Sequence, residues 1–189
     1  MPRSANETRR RILGAAYLQF SRRGFGRVGV DEIAAAAKVT KRTLYYHFKS
    51  KDELLAAVLE SQHHIALQAY RSWGDRLDGN AERMVDVFFA ELAKWLASPR
   101  WSGSGFTRLA MELADLPGHP ARVVARHHKA MVEAYLAERF GNAGMRSPRE
   151  RAREIALLAE GAMALTLVHG DRAYARAAAR AAKRLLQKN

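Results

Sequence analysis

Apolar residues recur at three- and four-residue intervals along almost the whole chain, and no window sustains an alternation of period two. Proline is sparse and falls between the periodic segments. The pattern predicts an all-α protein of about nine helices. A first helix is expected over residues 5–23. Ser4-Ala5-Asn6-Glu7 reads as a capping box, Ile12, Ala16 and Phe20 line one face, and Gly24 ends the run. Two short helices follow, over 30–37 and 41–47, joined by the turn Lys38-Val39-Thr40. Ile33, Ala37, Leu44 and Phe48 should point inward, Ala34 is small enough for two helices to cross closely, and Thr40 is placed to cap the second. Ser50 and Glu53 form another capping box, opening a helix that runs to about Trp73.

Beyond a polar break from Gly74 to Asn80, helices are expected over 81–98, 101–116, 121–140, 148–170 and 171–187. Pro99, the turn Pro117-Gly118-His119-Pro120, Gly141, the Ser147-Pro148 cap and Asp171 as a cap set their limits. The change in character near Ser50 suggests two domains: residues 1–49, then a helical domain over 50–189 entered through the helix that begins at Lys51. The helix over 148–170 is apolar on more than one side. It is expected to meet a second subunit as well as its own core, through Leu158, Ala162, Met163 and Thr166, together with Tyr174, Ala178, Ala181 and Leu185 of the last helix.

Charge sharpens the first region. The formal net charge is +13, and residues 1–50 hold 11 Lys/Arg against 3 Asp/Glu. A small, basic first domain calls for a polyanion, with nucleic acid ahead of a membrane surface. The helix over 41–47 carries Lys41, Arg42, Thr43, Tyr45, Tyr46 and His47 on its outward side. The cations can donate to guanine edges or phosphates, Thr43 can meet a thymine methyl, and the phenols and imidazole can reach backbone oxygens. Lys51 sits where the positive end of a helix dipole disfavours a cation, and a phosphate meeting it there would resolve the conflict.

The run K-V-T-K-R-T-L-Y-Y-H-F-K-S-K-D-E-L-L, with Asp31-Glu32-Ile33-Ala34 and the Gly24-Phe25 ending, resembles the TetR/AcrR family of bacterial transcriptional regulators. The likeness covers about the first third of the chain; the rest agrees in helix number, length and order. It implies a cytoplasmic homodimer that places two reading helices in major grooves of a palindromic operator. By position, Thr40, Lys41, Arg42, Thr43, Tyr45, Tyr46, His47 and Lys51 would then form the DNA-binding set. The sequence departs from the family pattern at two places: Val28-Gly29 stands where hydroxyl residues are common, and Lys38 where glycine is usual. If the turn needs positive φ, Lys38 carries roughly 1 kcal/mol of strain. The resemblance also implies a pocket in the second domain for a small effector, whose occupancy would move the reading heads apart. Gln62, Phe89, Trp95, Phe106, Met111, Met131 and Tyr135 are the candidate lining residues, and they favour an apolar or aromatic molecule.

Other chemistry finds less support. There is no cysteine, hence no disulfide framework and no thiolate metal site, which suits a reducing cytoplasm. The pairs His63-His64 and His127-His128 are adjacent along helices, so neither pair has chelating i, i+4 spacing, and no metal or other cofactor is expected. No nucleophile with a visible base, and no phosphate-cradling glycine loop, points to an enzyme. Neither a signal peptide nor a spanning helix is apparent. The expected function is a sequence-specific, ligand-responsive repressor. The alternative is a constitutive dimeric DNA-binding protein whose second domain only dimerises, and the two differ in whether the second domain holds a real cavity.

Overall fold

The computed structural model describes residues 4–74, 79–99 and 101–187. Among these the secondary structure is entirely helical: α1 (Ala5–Arg23), α2 (Val30–Ala36), α3 (Lys41–His47), α4 (Lys51–Gly74), α5 (Ala81–Leu96), α6 (Gly105–Glu112), α7 (Pro120–Asn142), α8 (Pro148–His169) and α9 (Ala173–Leu186). Most of the break expected between Gly74 and Asn80 lies outside the described residues. No helix is long and apolar enough to cross a membrane, among the described residues.

The chain divides into two compact units. The first is discontinuous in sequence, Met1–His64 with Gly105–His127, and the second comprises Ile65–Ser104 with His128–Asn189. This division differs from the one read from the sequence at residue 49, because the first core recruits residues from far along the chain. Ile12, Phe20, Ile33, Leu44 and Phe48 pack with Leu54, Leu55, Val58 and Leu59 of α4, and also with Phe106 and Leu109 of α6 and Ala121 and Ala125 of α7. The second core gathers Val85, Phe89, Leu136, Phe140, Ile155 and Leu186. Ala152, Ala159, Ala162, Ala175, Ala178 and Ala182 are buried there too, and these small side chains let α8 lie close along α9.

Local signals place the first helices. Ser4 Oγ accepts from Glu7 N at 3.2 Å, Thr40 Oγ1 from Thr43 N at 3.0 Å, and Ser50 Oγ from Glu53 N at 3.0 Å. Glu53 closes its box by accepting from Lys49 N at 2.7 Å. Later in the chain the elements depart from expectation. α6 begins only at Gly105, after Gly103 turns the chain at φ +97°. α7 runs through Gly141 to Asn142. Ser147 sits in the left-handed region at φ +50° and makes no side-chain cap bond. α9 starts at Ala173, whose N–H donates to Asp171 Oδ1 at 2.8 Å.

Candidate nucleic-acid interface

The reading unit is α2, a turn and α3. Gly29 caps α2 without a side chain, and Val28 is buried in the core, so neither supplies the hydroxyl that the family pattern leads one to look for. α2 ends in a paired backbone closure: Val39 N donates to Ala34 O and Lys38 N to Ala35 O, each at 3.0 Å. This Schellman geometry requires a left-handed residue between the helix end and Val39. Lys38 takes it, at φ +53°. The strain inferred from sequence is therefore present. Arg11 of α1 reinforces the turn, its guanidinium donating to both Ala37 O and Lys38 O. Ala34 and Ala37 are buried at the crossing, and Leu44 and Phe48 anchor α3 from below.

What α3 leaves outside is cationic and phenolic. Lys41 and Arg42 are exposed, and Tyr46 is 82% exposed beside a partly exposed Tyr45. His47 is half-buried, its ring edge-on to Tyr46 at 5.3 Å. Lys41 Nζ lies 3.1 Å from Asp31 Oδ2 of α2, an exposed pair that holds the ammonium over the α2–α3 face. Thr40 and Thr43 share a hydroxyl contact at 2.8 Å, which orients both at the start of α3. These side chains can donate to base edges and phosphates at a groove floor and wall.

Lys51 is engaged differently from the expectation. Its Nζ donates to Phe25 O at 2.6 Å and sits 4.1 Å from the centroid of the Phe25 ring. Burial holds its pKa below the usual lysine range, while the carboxylates of Asp52 and Glu112 pull the other way. The ammonium thus ties the segment after α1 to the start of α4. Glu112 works on the same segment, accepting from Phe25 N at 3.1 Å and Gly26 N at 2.6 Å. The dipole conflict seen in the sequence is met by a carbonyl of the protein itself, a partner that periodicity does not reveal.

The effector candidates are divided between the two units. In the first unit Phe106 is core, Gln62 is half-buried, and Met111 is 68% exposed. In the second unit Phe89 is core, Trp95 is exposed and packs edge-on to Trp101, and Met131 is half-buried. Tyr135 lines a cavity shared with Tyr70, Trp73, Gly74, Met84 and Phe88, and its volume is about 10 Å³. That is about one water molecule's worth of space. Tyr135 Oη donates to Tyr70 O at 3.1 Å and closes over Gly74, where an added Cβ would lie 1.9 Å from that oxygen.

The subunit-interface candidates are offset in register. Ala162, Met163, Thr166 and Ala178 are buried in the second unit's own core, and Leu158 packs against it. Tyr174, Ala181 and Leu185 are partly exposed. Apolar residues that α8 shows to solvent include Leu157 (68% exposed), Ala164, Leu165 and Val168 (74%), with Gly161 half-buried between them; Leu167 is exposed to one side of this stripe. Their spacing of four, three, one and three residues keeps them on one face.

An exposed, basic, phenol-bearing second helix behind a capped helical turn defines a helix-turn-helix domain, here accompanied by a second helical unit. The family described as bacterial regulatory proteins, tetR family, matches residues 12–58, the segment that holds α2, the turn and α3. The HTH-type transcriptional repressor SCO4008 of Streptomyces coelicolor is 33% identical over 127 residues, covering 65% of this chain and 64% of that protein. The probable HTH-type transcriptional regulator ArpR of Pseudomonas putida is 44% identical over 92 residues, 47% of this chain and 44% of that protein. The matched segment is thus less than two thirds of either relative's length. Among solved structures, SCO4454, a TetR-family transcriptional regulator from Streptomyces coelicolor, superposes with a TM-score of 0.82 at 26% identity over 97% of each chain. Reduced NemR of Escherichia coli shares the fold, with a TM-score of 0.87 at 21% identity over 94% of this chain and 96% of that one. Three of these four are described as transcriptional regulators or repressors.

Proposed function

We propose that the protein is a homodimeric transcriptional repressor that reads a palindromic operator with α3. The observation that carries this reading is the outward face of α3, where Lys41, Arg42, Tyr45 and Tyr46 stand clear of the core on a turn pinned by Arg11. Lys41, Arg42 and Thr43 are assigned to base edges, and Tyr45, Tyr46 and His47 to phosphates. Lys51 positions the segment after α1 instead of touching DNA. Dimerisation is assigned to the exposed stripe of α8, Leu157, Gly161, Ala164, Leu165 and Val168, with the partly exposed side of α9. A two-fold dimer sets its two α3 helices in successive major grooves, about 34–36 Å apart. The name of the Streptomyces repressor supports the direction of regulation.

Effector control is assigned to the aromatic cluster around Tyr70, Trp73, Phe88 and Tyr135. A molecule entering there must displace Tyr135 from Gly74, and a flat apolar or aromatic compound fits those walls. Its effect on DNA follows if it prefers a conformer whose reading heads misfit the operator. A second reading is favoured by the volume of that cavity, about 10 Å³. On this reading the second unit only dimerises and binding is constitutive.

Selection of bound sequences from random DNA with the purified chain tests the main reading. A palindromic motif is expected, and Lys41→Ala and Arg42→Ala should relax preference at defined positions, each worth roughly 1–3 kcal/mol. Recovery of no palindrome, or unchanged preference in both variants, would overturn the assignment. Operator affinity that no apolar or aromatic compound in a library changes would leave the constitutive reading standing.

A further inference from the structure

We propose that Glu60, His63 and His64 of α4, with His127 of α7, form a binding site for a divalent transition-metal ion of the zinc class. All four residues belong to the first unit. Glu60, His63 and His64 each bring one ligand atom to a common point, with those atoms within 4.8 Å of one another. Glu60 Oε1 and His64 Nε2 are 3.4 Å apart. The His63 ring lies 5.3 Å, centroid to centroid, from His64 and 5.2 Å from His127.

These spacings match shared ligation. A zinc ion binds an imidazole nitrogen at about 2.0–2.1 Å, which puts the ring centre roughly 3.2 Å from the ion. Two rings at a tetrahedral angle are then about 5.2 Å apart, and two donor atoms about 3.4 Å apart. Both imidazole separations and the Glu60–His64 distance stand close to those values, and His127 would turn a ring nitrogen towards the other three to complete the set. Adjacency along the helix argued against His63-His64 as a pair. The sequence signal that carries the site is instead Glu60-x-x-His63 and Glu60-x-x-x-His64, spacings at which helical side chains meet. His127 then arrives from a different helix.

The setting also suits an ion. His63 is only 4% exposed and continues the inward stripe of Val58, Leu59 and Leu67, a position where an aliphatic residue would suffice for packing. His64 and His127 are exposed and Glu60 is half-exposed, leaving a route for the ion from solvent. Three imidazoles and one carboxylate select borderline metals over magnesium or calcium, and the absence of cysteine keeps thiolate-seeking ions away. Bound there, the ion would join α4 to α7 and brace the core of the first unit.

Zinc titration of the untagged, full-length, chelator-treated chain against a chromophoric competitor tests this directly. One ion per chain is expected, with a rise in Tm on adding zinc and with the visible absorption of a four-coordinate site when cobalt(II) replaces it. His127→Ala and Glu60→Gln change partly exposed side chains, so the variants should fold, and each should weaken binding at least about tenfold. His169→Ala, which changes an exposed histidine elsewhere, should leave binding unchanged. No stoichiometric binding by the wild-type chain would overturn the site. So would affinity that survives both His127→Ala and Glu60→Gln, or that falls equally with His169→Ala.

Discussion

Replacing Lys38 by glycine should make the protein more stable, although it removes a side chain and puts a flexible residue in a structured turn. Lys38 holds φ +53° because the closure of α2 demands it: Val39 N must reach Ala34 O, and Lys38 N must reach Ala35 O. An L-residue in that region carries about 1–2 kcal/mol of strain, and glycine carries none. Glycine costs about 0.5–1 kcal/mol through the wider freedom of the unfolded chain. The difference leaves Lys38→Gly more stable by up to about 1.5 kcal/mol, centred on about 0.75, or roughly 1–4 °C in Tm at the centre of that range for a chain of this size. Arg11 bonds only backbone carbonyls at this turn, so its contribution is common to all variants. Lys38→Ala is the informative control, since it removes the ammonium but keeps a Cβ at positive φ. Its stability should stay within about 0.5 kcal/mol of the parent. The assay is chemical denaturation of all three proteins in one buffer, with thermal melts beside it. The expected order is glycine above lysine and alanine. If Lys38→Gly were less stable than Lys38→Ala, strain at this turn would not be the governing term and the reasoning would fail.

Three further outcomes follow from contacts described above. Gly74→Ala should destabilise by about 1–3 kcal/mol, because its Cβ would meet Tyr135 Oη at 1.9 Å, and Tyr135→Phe in the same chain should recover most of that loss in a double-mutant cycle. Lys51→Met should lower stability by about 1.5–3 kcal/mol through the lost bond to Phe25 O. Its DNA affinity, measured across salt concentrations, should keep the parent's slope, whereas Arg42→Ala should reduce the slope by about 1. The Tyr70 phenol is pushed up to about 12 by burial first and by the Glu160 carboxylate second. A raised folded-state pKa gives stability that is whole below pH ~10 and is lost as pH rises through about 12. Tyr70→Phe should therefore gain roughly 1.4 kcal/mol relative to the parent between pH 8.5 and pH 11, read as the change in the difference of unfolding free energies.

Legibility in the sequence followed the range of the interactions. α1 to α3 end where their residues say, because Ser4–Glu7, Thr40–Thr43 and the Gly24 stop act within one turn of chain. The left-handed residue at Lys38 was legible too, as a departure from a glycine pattern. Registers set by tertiary contact were not. α8 is apolar around much of its circumference, so periodicity offers two faces and does not say which one α9 covers. Leu158, Ala162, Met163 and Thr166 take the inner face, and Leu157, Ala164, Leu165 and Val168 the outer. For the same reason an aromatic stripe could not separate Tyr135, at a cavity, from Phe89 and Phe106, which fill cores. Lys51 pointed to an anion by its place at a helix start, but its partner is a carbonyl of residue 25. His127 meets His63 only because two helices cross there.

The carboxylate of Glu112 fastens to the amides of Phe25 and Gly26 across 87 and 86 positions of chain. The core of the first unit is therefore complete only when α6 and the front of α7 are present. A nascent chain of 64 residues exposes the apolar surface that Phe106, Leu109, Ala121 and Ala125 later cover. Chimaeras that exchange the first unit between chains of this fold should keep their fold only when the segment 105–127 travels with residues 1–64. A cut at residue 49, the natural choice from sequence alone, would divide one folding unit in two.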